Sequence, residues 1–401
     1  MLRLPTAVLW LAFAPIAAAQ SSGTFSAITQ YPIPTSGSQP GGIVRGPDGA
    51  LWFTEYIGNN IGRITTDGVI TEYPIPTADS GPWAIAAGPD GALWFTEFNV
   101  GQIGRITTAG AITEYSVPSA TGQLYMIAAG PDGAMWFTEY GAGRIGRITM
   151  AGSVTAYPVP TASSGPQGIT AGPGEALWFT EDLANKIGRI TTSGTITEYP
   201  TPTSDSNPAY ITEGPDGALW FTERTAGKIG RITTAGVITA EYAQPGMYPQ
   251  GITAASGALW FVNYGSYNLA RITVTGAVTE FPASGGPVLI APGPDGALWF
   301  TEYYGNQIAR APECALGLSA SYASGALTAN FELGIDRGAV WSLSAGPAFG
   351  FQKPIPAVVP PAPFSFSQSY PNSGEVEVKS SLLDQSGAAL CSEWTTVNTA
   401  P

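Results

Sequence analysis

The chain has 401 residues, a formal net charge of −13 and no histidine. The acidic balance excludes nucleic acid and an anionic membrane surface as partners, because phosphate contacts need clustered Lys and Arg. The missing imidazole excludes Ser-His-Asp and Cys-His arrangements and histidine-ligated zinc, leaving Glu, Asp, Tyr or Lys for proton transfer.

Residues 1–19 read as a secretory leader, with Arg3, an apolar run from Leu4 to Ile16, and Ala17-Ala18-Ala19 before Gln20. No later stretch is apolar for long enough to span a bilayer. The protein is therefore expected outside the cytoplasm: secreted, periplasmic or on the cell surface.

The chain then repeats one unit. Its anchor tryptophan recurs as Trp52, Trp94, Trp136, Trp178, Trp220, Trp260 and Trp299, at spacings of 42, 42, 42, 42, 40 and 39 residues. Each period offers four short strands. The first follows a proline and carries an apolar residue (Ile43, Ile85, Ile127, Ile169, Ile211, Ile252, Ile290), and a P-D-G turn leads to the second, A-L-W-F-T-E. The third reads I-G-R-I-T and the fourth I-T-E-Y. Leu51 and Phe53 fall on one face of the second strand and Trp52 on the other, so the strand is buried on both sides. Four-stranded units of this length with two apolar faces predict an all-β fold, a seven-bladed β-propeller over 25–312. Its first fourth-strand copy, at 25–35, precedes any complete unit, and the last unit stops at Ile308 to Ala311 without one. The ring is expected to close by pairing Ile28 to Tyr31 onto the 289–311 unit, which leaves no free edge at the seam.

Residues 313–401 leave the period and predict a small all-β C-terminal module around a proline-rich stretch at 353–363. Cys314 and Cys391, the chain's two cysteines, are expected to close that module as a disulfide. The module is a candidate tether, partner-binding element or route to self-assembly.

The second strand ends in Glu55, Glu97, Glu139, Glu181, Glu223 and Glu302, with Asn263 in the sixth unit. Alternation of strand direction predicts that these side chains ring one mouth of the central channel. An arginine follows each position by eight residues: Arg63, Arg105, Arg147, Arg189, Arg231, Arg271 and Arg310. A pairing repeated in every unit reads as structural bracing. Asp48, Asp90, Asp132, Asp216 and Asp295 read as turn residues. Asymmetry carries more functional information. The position after the proline of the first strand, or after Leu124 in the third unit, holds Gly41, Trp83, Tyr125, Gln167, Ala209, Gln250 and Val288. Trp83, Tyr125, Gln167, Tyr210, Gln250, Asn263 and Glu302 form the candidate pocket at the channel mouth, with Tyr248, Tyr264, Tyr267, Tyr303 and Tyr304 adding aromatic surface nearby.

The repeat G-P-D-G-A-L-W-F-T-E, followed by K-I-G-R-I-T-T-x-G-x-I-T-E-Y-P, resembles the virginiamycin B lyase (streptogramin B lyase) family of seven-bladed propellers over about residues 25–312. The resemblance implies a ring closed by the N-terminal strand. It also implies an elimination that opens the lactone of a cyclic depsipeptide, with a magnesium ion and a histidine base. One family histidine directly follows the proline of a first strand, where this chain has Gln167, Ala209, Gln250 or Val288 depending on the blade. Another lies two residues beyond a channel-side glutamate, where this chain has Gly141, Leu183, Thr225 or Tyr304. The expectation is therefore a secreted, non-catalytic propeller that binds an extracellular ligand or protein, or serves as a structural module, without a cofactor. The alternative is a carbon–oxygen lyase acting on a cyclic or polymeric extracellular substrate, with a non-histidine, Mg²⁺-assisted site. No catalytic residue and no metal ligand is assigned on either reading.

Overall fold

The computed structural model describes residues 28–118, 122–244 and 248–312 with their side chains, and strands at 20–25 and between 316 and 398 as backbone. The expected leader at 1–19 and the expected Cys314–Cys391 pairing lie outside the described residues.

Seven four-stranded antiparallel units follow one another. In blade one the strands are Pro40–Arg45, Leu51–Glu55, Asn60–Ile64 and Ile70–Pro74, from channel to rim. Blade seven takes its fourth strand, Thr29–Pro32, from the start of the chain, with Tyr31 opposite Ile308. The first strands contact one another in sequence and the seventh returns to the first, so the ring is closed.

Strand alternation explains how the blades stack. Trp52 packs with Ile85, Leu93 and Phe95 of blade two, while Leu51 and Phe53 face Trp299 and Ile308 of blade seven. Gly62 sits under the ring of Phe53, where a Cβ would come within 2.1 Å of the ring. A glycine at that step of I-G-R lets the ring lie flat on the third strand. Threonine adds a polar latch between blades: Thr54 Oγ1 accepts from Gly42 N and donates to Trp83 O, both at 2.8 Å. Thr301 makes the same donation to Gly41 O, sealing blade seven to blade one.

Each first strand carries a bulge. Pro40 pairs with Glu55 and Ile43 with Phe53, so three steps on one strand match two on the other. The extra residue re-aims side chains beside the channel, and the positions it re-aims are those that vary from blade to blade.

Beyond the propeller, the sheet of blade six continues through the strand Gln20–Phe25, which runs parallel to Val278–Pro282 and antiparallel to Ala389–Asn398. Glu375–Leu383 and Val340–Ala345 extend it further. Leu316–Ala323, Ala326–Leu333 and Phe364–Ser369 form a three-stranded sheet.

Candidate functional site at the channel mouth

The two faces of the disc are built from opposite ends of the same strands. At the turn between first and second strands, Asp48 accepts from Trp52 Nε1 at 3.0 Å and from Arg63 Nε at 2.7 Å. Arg63 lies over the Trp52 ring at 5.9 Å, and Tyr73 stacks on that ring at 5.6 Å. The clasp recurs around Asp90, Asp132, Asp216 and Asp295. Partial burial pushes these carboxyls up, but hydrogen bonds from Trp, Arg and a backbone N–H outweigh it and leave them below the ordinary aspartate value. Blade four has Gly174 in place of the aspartate, and Trp178 Nε1 there is buried without a partner.

This corrects the expected Glu–Arg bracing. Arg63 stands opposite Trp52 and Glu55 opposite Asn60, three residues further along the strand. The arginine therefore reaches the turn aspartate instead, and Arg105, Arg147, Arg231 and Arg310 do the same. Nor do the glutamates ring the channel. Glu55, Glu97, Glu139, Glu181, Glu223 and Glu302 share a face with the phenylalanine two residues before them, and all are buried within the blade stack.

The residue after each glutamate reaches the mouth. Tyr56, Phe98 and Tyr140 join Trp83 and Tyr125 in a belt of aromatic contacts: Tyr56–Trp83 at 5.8 Å, Trp83–Tyr125 at 5.5 Å, Phe98–Tyr125 at 5.9 Å and Tyr125–Tyr140 at 6.0 Å. Across the mouth, Tyr264 and Tyr304 share a short hydroxyl hydrogen bond, and Tyr303 donates to Gln39 Oε1 at 2.6 Å. Between these walls Arg224 Nη2 holds both oxygens of Asp182, at 3.1 and 3.3 Å, and Tyr140 OH donates to Asp182 Oδ2 at 2.9 Å. Asp182 is 2% exposed.

A cavity of about 250 Å³ opens here, lined by Trp83, Tyr125, Tyr210, Arg224, Gln250, Tyr264, Val288, Tyr303 and Tyr304. Four of the seven candidate pocket residues, Trp83, Tyr125, Tyr210 and Gln250, come together in that lining. Gln167 lies beneath it beside Tyr125 and Tyr210, 1% exposed, with neither end of its amide in a well-formed hydrogen bond. Asn263 and Glu302 are buried at the ends of their strands and do not line the cavity. Arg224 and its anchor Asp182 were missed by the sequence reading, although the residue after F-T-E is where the repeat varies. Below the mouth the channel narrows to an apolar throat that includes Ile43, Ile85, Ile169, Ile211, Ile252 and Ile290.

Burial raises the Tyr125 and Tyr210 phenols, and Tyr264 is pushed up to about 12, first by its hydrogen bond with Tyr304. All three stay protonated near neutrality. Among the described residues no group of three or more His, Cys, Asp or Glu is placed to hold a metal ion. The lining has no carboxylate, and Asp182 behind it is already taken by Arg224 and Tyr140, so the mouth does not fit Mg²⁺, which prefers several free oxygen ligands. No helix among the described residues is long and apolar enough to cross a membrane.

The model of the virginiamycin B lyase family matches residues 5–203 and 113–315. The chain belongs to this family. A streptogramin B lyase structure shares 37% identity over 71% of this chain and 96% of its own, with a TM-score of 0.68. The virginiamycin B lyase from Staphylococcus aureus shares 41% over 71% and 98%, with the same TM-score. A catalytically inactive variant of the Staphylococcus aureus enzyme, in which a histidine is replaced by alanine, was solved with quinupristin; it shares 40% identity over 71% and 98%, at a TM-score of 0.67. The shared span is the propeller, which places this chain's blades within a family of enzymes.

Proposed function

We propose that the mouth cavity is the ligand site of this lyase-family propeller and that it acts on a compact cyclic or polymeric extracellular substrate bearing aromatic groups, by carbon–oxygen elimination. The observation that carries the proposal is the lining: Trp83, Tyr125, Tyr210, Tyr264, Tyr303 and Tyr304, with Arg224 and Gln250 as the polar groups, gathered where the repeat is least regular. Aromatic walls with a few placed polar groups suit a ligand with flat apolar side groups. The relative solved with quinupristin supports a small-molecule ligand, and the family resemblance implies a cyclic depsipeptide. In an elimination of this kind a C–H proton goes to a base, here solvent water or hydroxide at the open mouth because the lining holds no carboxylate or histidine, a C=C bond forms and the ester carboxylate leaves. Arg224 can pair with that carboxylate through its planar fork.

A second reading, holding the ligand without breaking it, rests on the proton acceptor. The chain has no histidine, and the raised phenols of Tyr125, Tyr210 and Tyr264 serve as donors. Either activity takes place outside the cytoplasm, as the leader-like residues 1–19 support, with the segment after 313 as tether or assembly element.

Incubating the full chain with quinupristin, and following tryptophan fluorescence and product mass together, separates these readings. Saturable quenching with a ring-opened product supports elimination; quenching without product supports holding. Trp83→Ala is expected to weaken binding by about 2 kcal/mol, roughly thirtyfold. No quenching and no product from the natural chain would sink both readings for this ligand class.

A further inference from the structure

The buried end of each blade repeats one arrangement while its hydrogen-bond donors change. An inner glutamate ends the second strand, and a residue of the fourth strand lies outside it. In blade seven the outer residue is an amide: Gln30 Nε2 donates to both oxygens of Glu302, at 3.1 and 2.8 Å. In blade one the outer residue is Glu72, and Asn60 of the third strand donates to Glu55 Oε2 at 3.1 Å while Oε1 stays buried without a partner; burial pushes Glu55 up to about 8 as well. In blade three Arg144 Nε stands 3.8 Å from Glu139 Oε2.

Blades two, four and five have no such donor. Both carboxyl oxygens of Glu97, Glu181 and Glu223 are buried without a well-formed hydrogen bond. Each faces a second carboxyl, that of Glu114, Glu198 or Glu241. The outer carboxyls already accept from backbone N–H groups, of Thr77 at 3.0 Å, Thr161 at 2.9 Å and Thr203 at 3.2 Å. Lys186 and Lys228 sit on the outer carboxyls as well, each at 3.0 Å. Two facing carboxylates removed from water repel each other, whereas one proton between them makes a short charge-assisted O–H···O⁻ bond.

We propose that Glu97, Glu181 and Glu223 are neutral carboxylic acids, each donating its proton to the outer glutamate, and that blades two, four and five therefore bind three protons at the mouth-side rim that are released together with blade stability under alkaline conditions. The charged groups facing them are Glu114 for Glu97, Glu198 and Lys186 for Glu181, and Glu241 and Lys228 for Glu223; Ser80 and Ser164 are uncharged neighbours. Burial, followed by repulsion from the outer glutamate, pushes Glu97 and Glu181 up to about 8 and Glu223 to about 9. These values lie above the unfolded carboxyl, so the folded chain binds the extra protons. The stabilisation is complete below the unfolded value of 4.5 and is lost as pH rises toward 8 to 9. The next residues along the chain are Phe98, Asp182 and Arg224, so charging the acids disturbs the turns that carry the mouth.

Glutamine is the isosteric stand-in for a protonated glutamate. The test compares the full chain with Glu97→Gln, Glu181→Gln and Glu223→Gln, singly and combined, by the infrared carbonyl band of protonated carboxyls at pH 7 and by denaturation midpoints at pH 6 and pH 9. Each substitution is expected to remove one carboxyl's worth of band, and the triple variant to lose at least half of the natural chain's midpoint drop between the two pH values. Should the triple variant fail to fold, the single variants read the band alone. Glu302→Gln, beside the donor Gln30, is expected to leave the band unchanged. A natural chain without the band at pH 7, a band removed by Glu302→Gln instead, or a triple variant keeping the full pH drop would overturn the assignment.

Discussion

Both faces of the propeller are made from the ends of the same strands, yet they are used in opposite ways. On the face of the Asp–Trp–Arg clasps, five blades repeat the ion pair at 2.6 to 2.7 Å. At the mouth, the equivalent step after each second strand holds Tyr56, Phe98, Tyr140, Asp182, Arg224, Tyr264 and Tyr303, no more than three of which are the same type in neighbouring blades. A group repeated around a ring cannot point at one ligand, whereas a set of unlike groups around one opening can. Repetition marks scaffold and its loss marks the site.

The largest effect expected is on the scaffold. Trp136 is fully buried and stacked on Tyr157, so Trp136→Ala is expected to cost about 3–5 kcal/mol in chemical denaturation. Next comes the latch: Thr180→Val removes the donor to Ala209 O and the acceptor for Gly168 N, an expected loss of about 1–3 kcal/mol. The clasp carboxylates are partly exposed, so Asp132→Asn is expected to cost under about 1 kcal/mol near neutrality. Because the folded aspartates lie below their unfolded value of 3.8, their contribution is present above it and lost as pH falls through the folded values. The acid limb of the melting curve should therefore be flatter in Asp132→Asn. Smallest on stability is Tyr304→Ala, 60% exposed at the mouth, expected within about 0.5 kcal/mol while ligand binding weakens. A stability loss at Tyr304 as large as that at Trp136 would erase the distinction between the faces.

Much of this was legible in the sequence. The tryptophan period and the orphan strand before blade one predict the ring and its seam, and Thr29–Pro32 pairs with Gln307–Ala311 as that reading requires. The unlike residues at the second position of each first strand lead to Trp83, Tyr125 and Gln250 at the mouth. What the spacing could not give was which end of a strand an arginine reaches. Arg63 follows Glu55 by eight residues but stands across the sheet from Trp52, and register rather than separation decides its partner. The glutamates were misplaced because a strand end near the channel can still turn its side chain into the stack between blades. Arg224 and Asp182 come from consecutive blades, 42 residues apart, and their pairing needs those two blades to stack in register.

Hydrogen exchange of the full chain with and without saturating quinupristin tests the central claim most directly, because it reads both faces in one experiment. The account predicts added protection at 82–84, 124–126, 222–226 and 301–305, with no change at the turns around Asp90, Asp132 and Asp216. Protection at those clasp turns or along the outer strands, with none at the mouth, would contradict it.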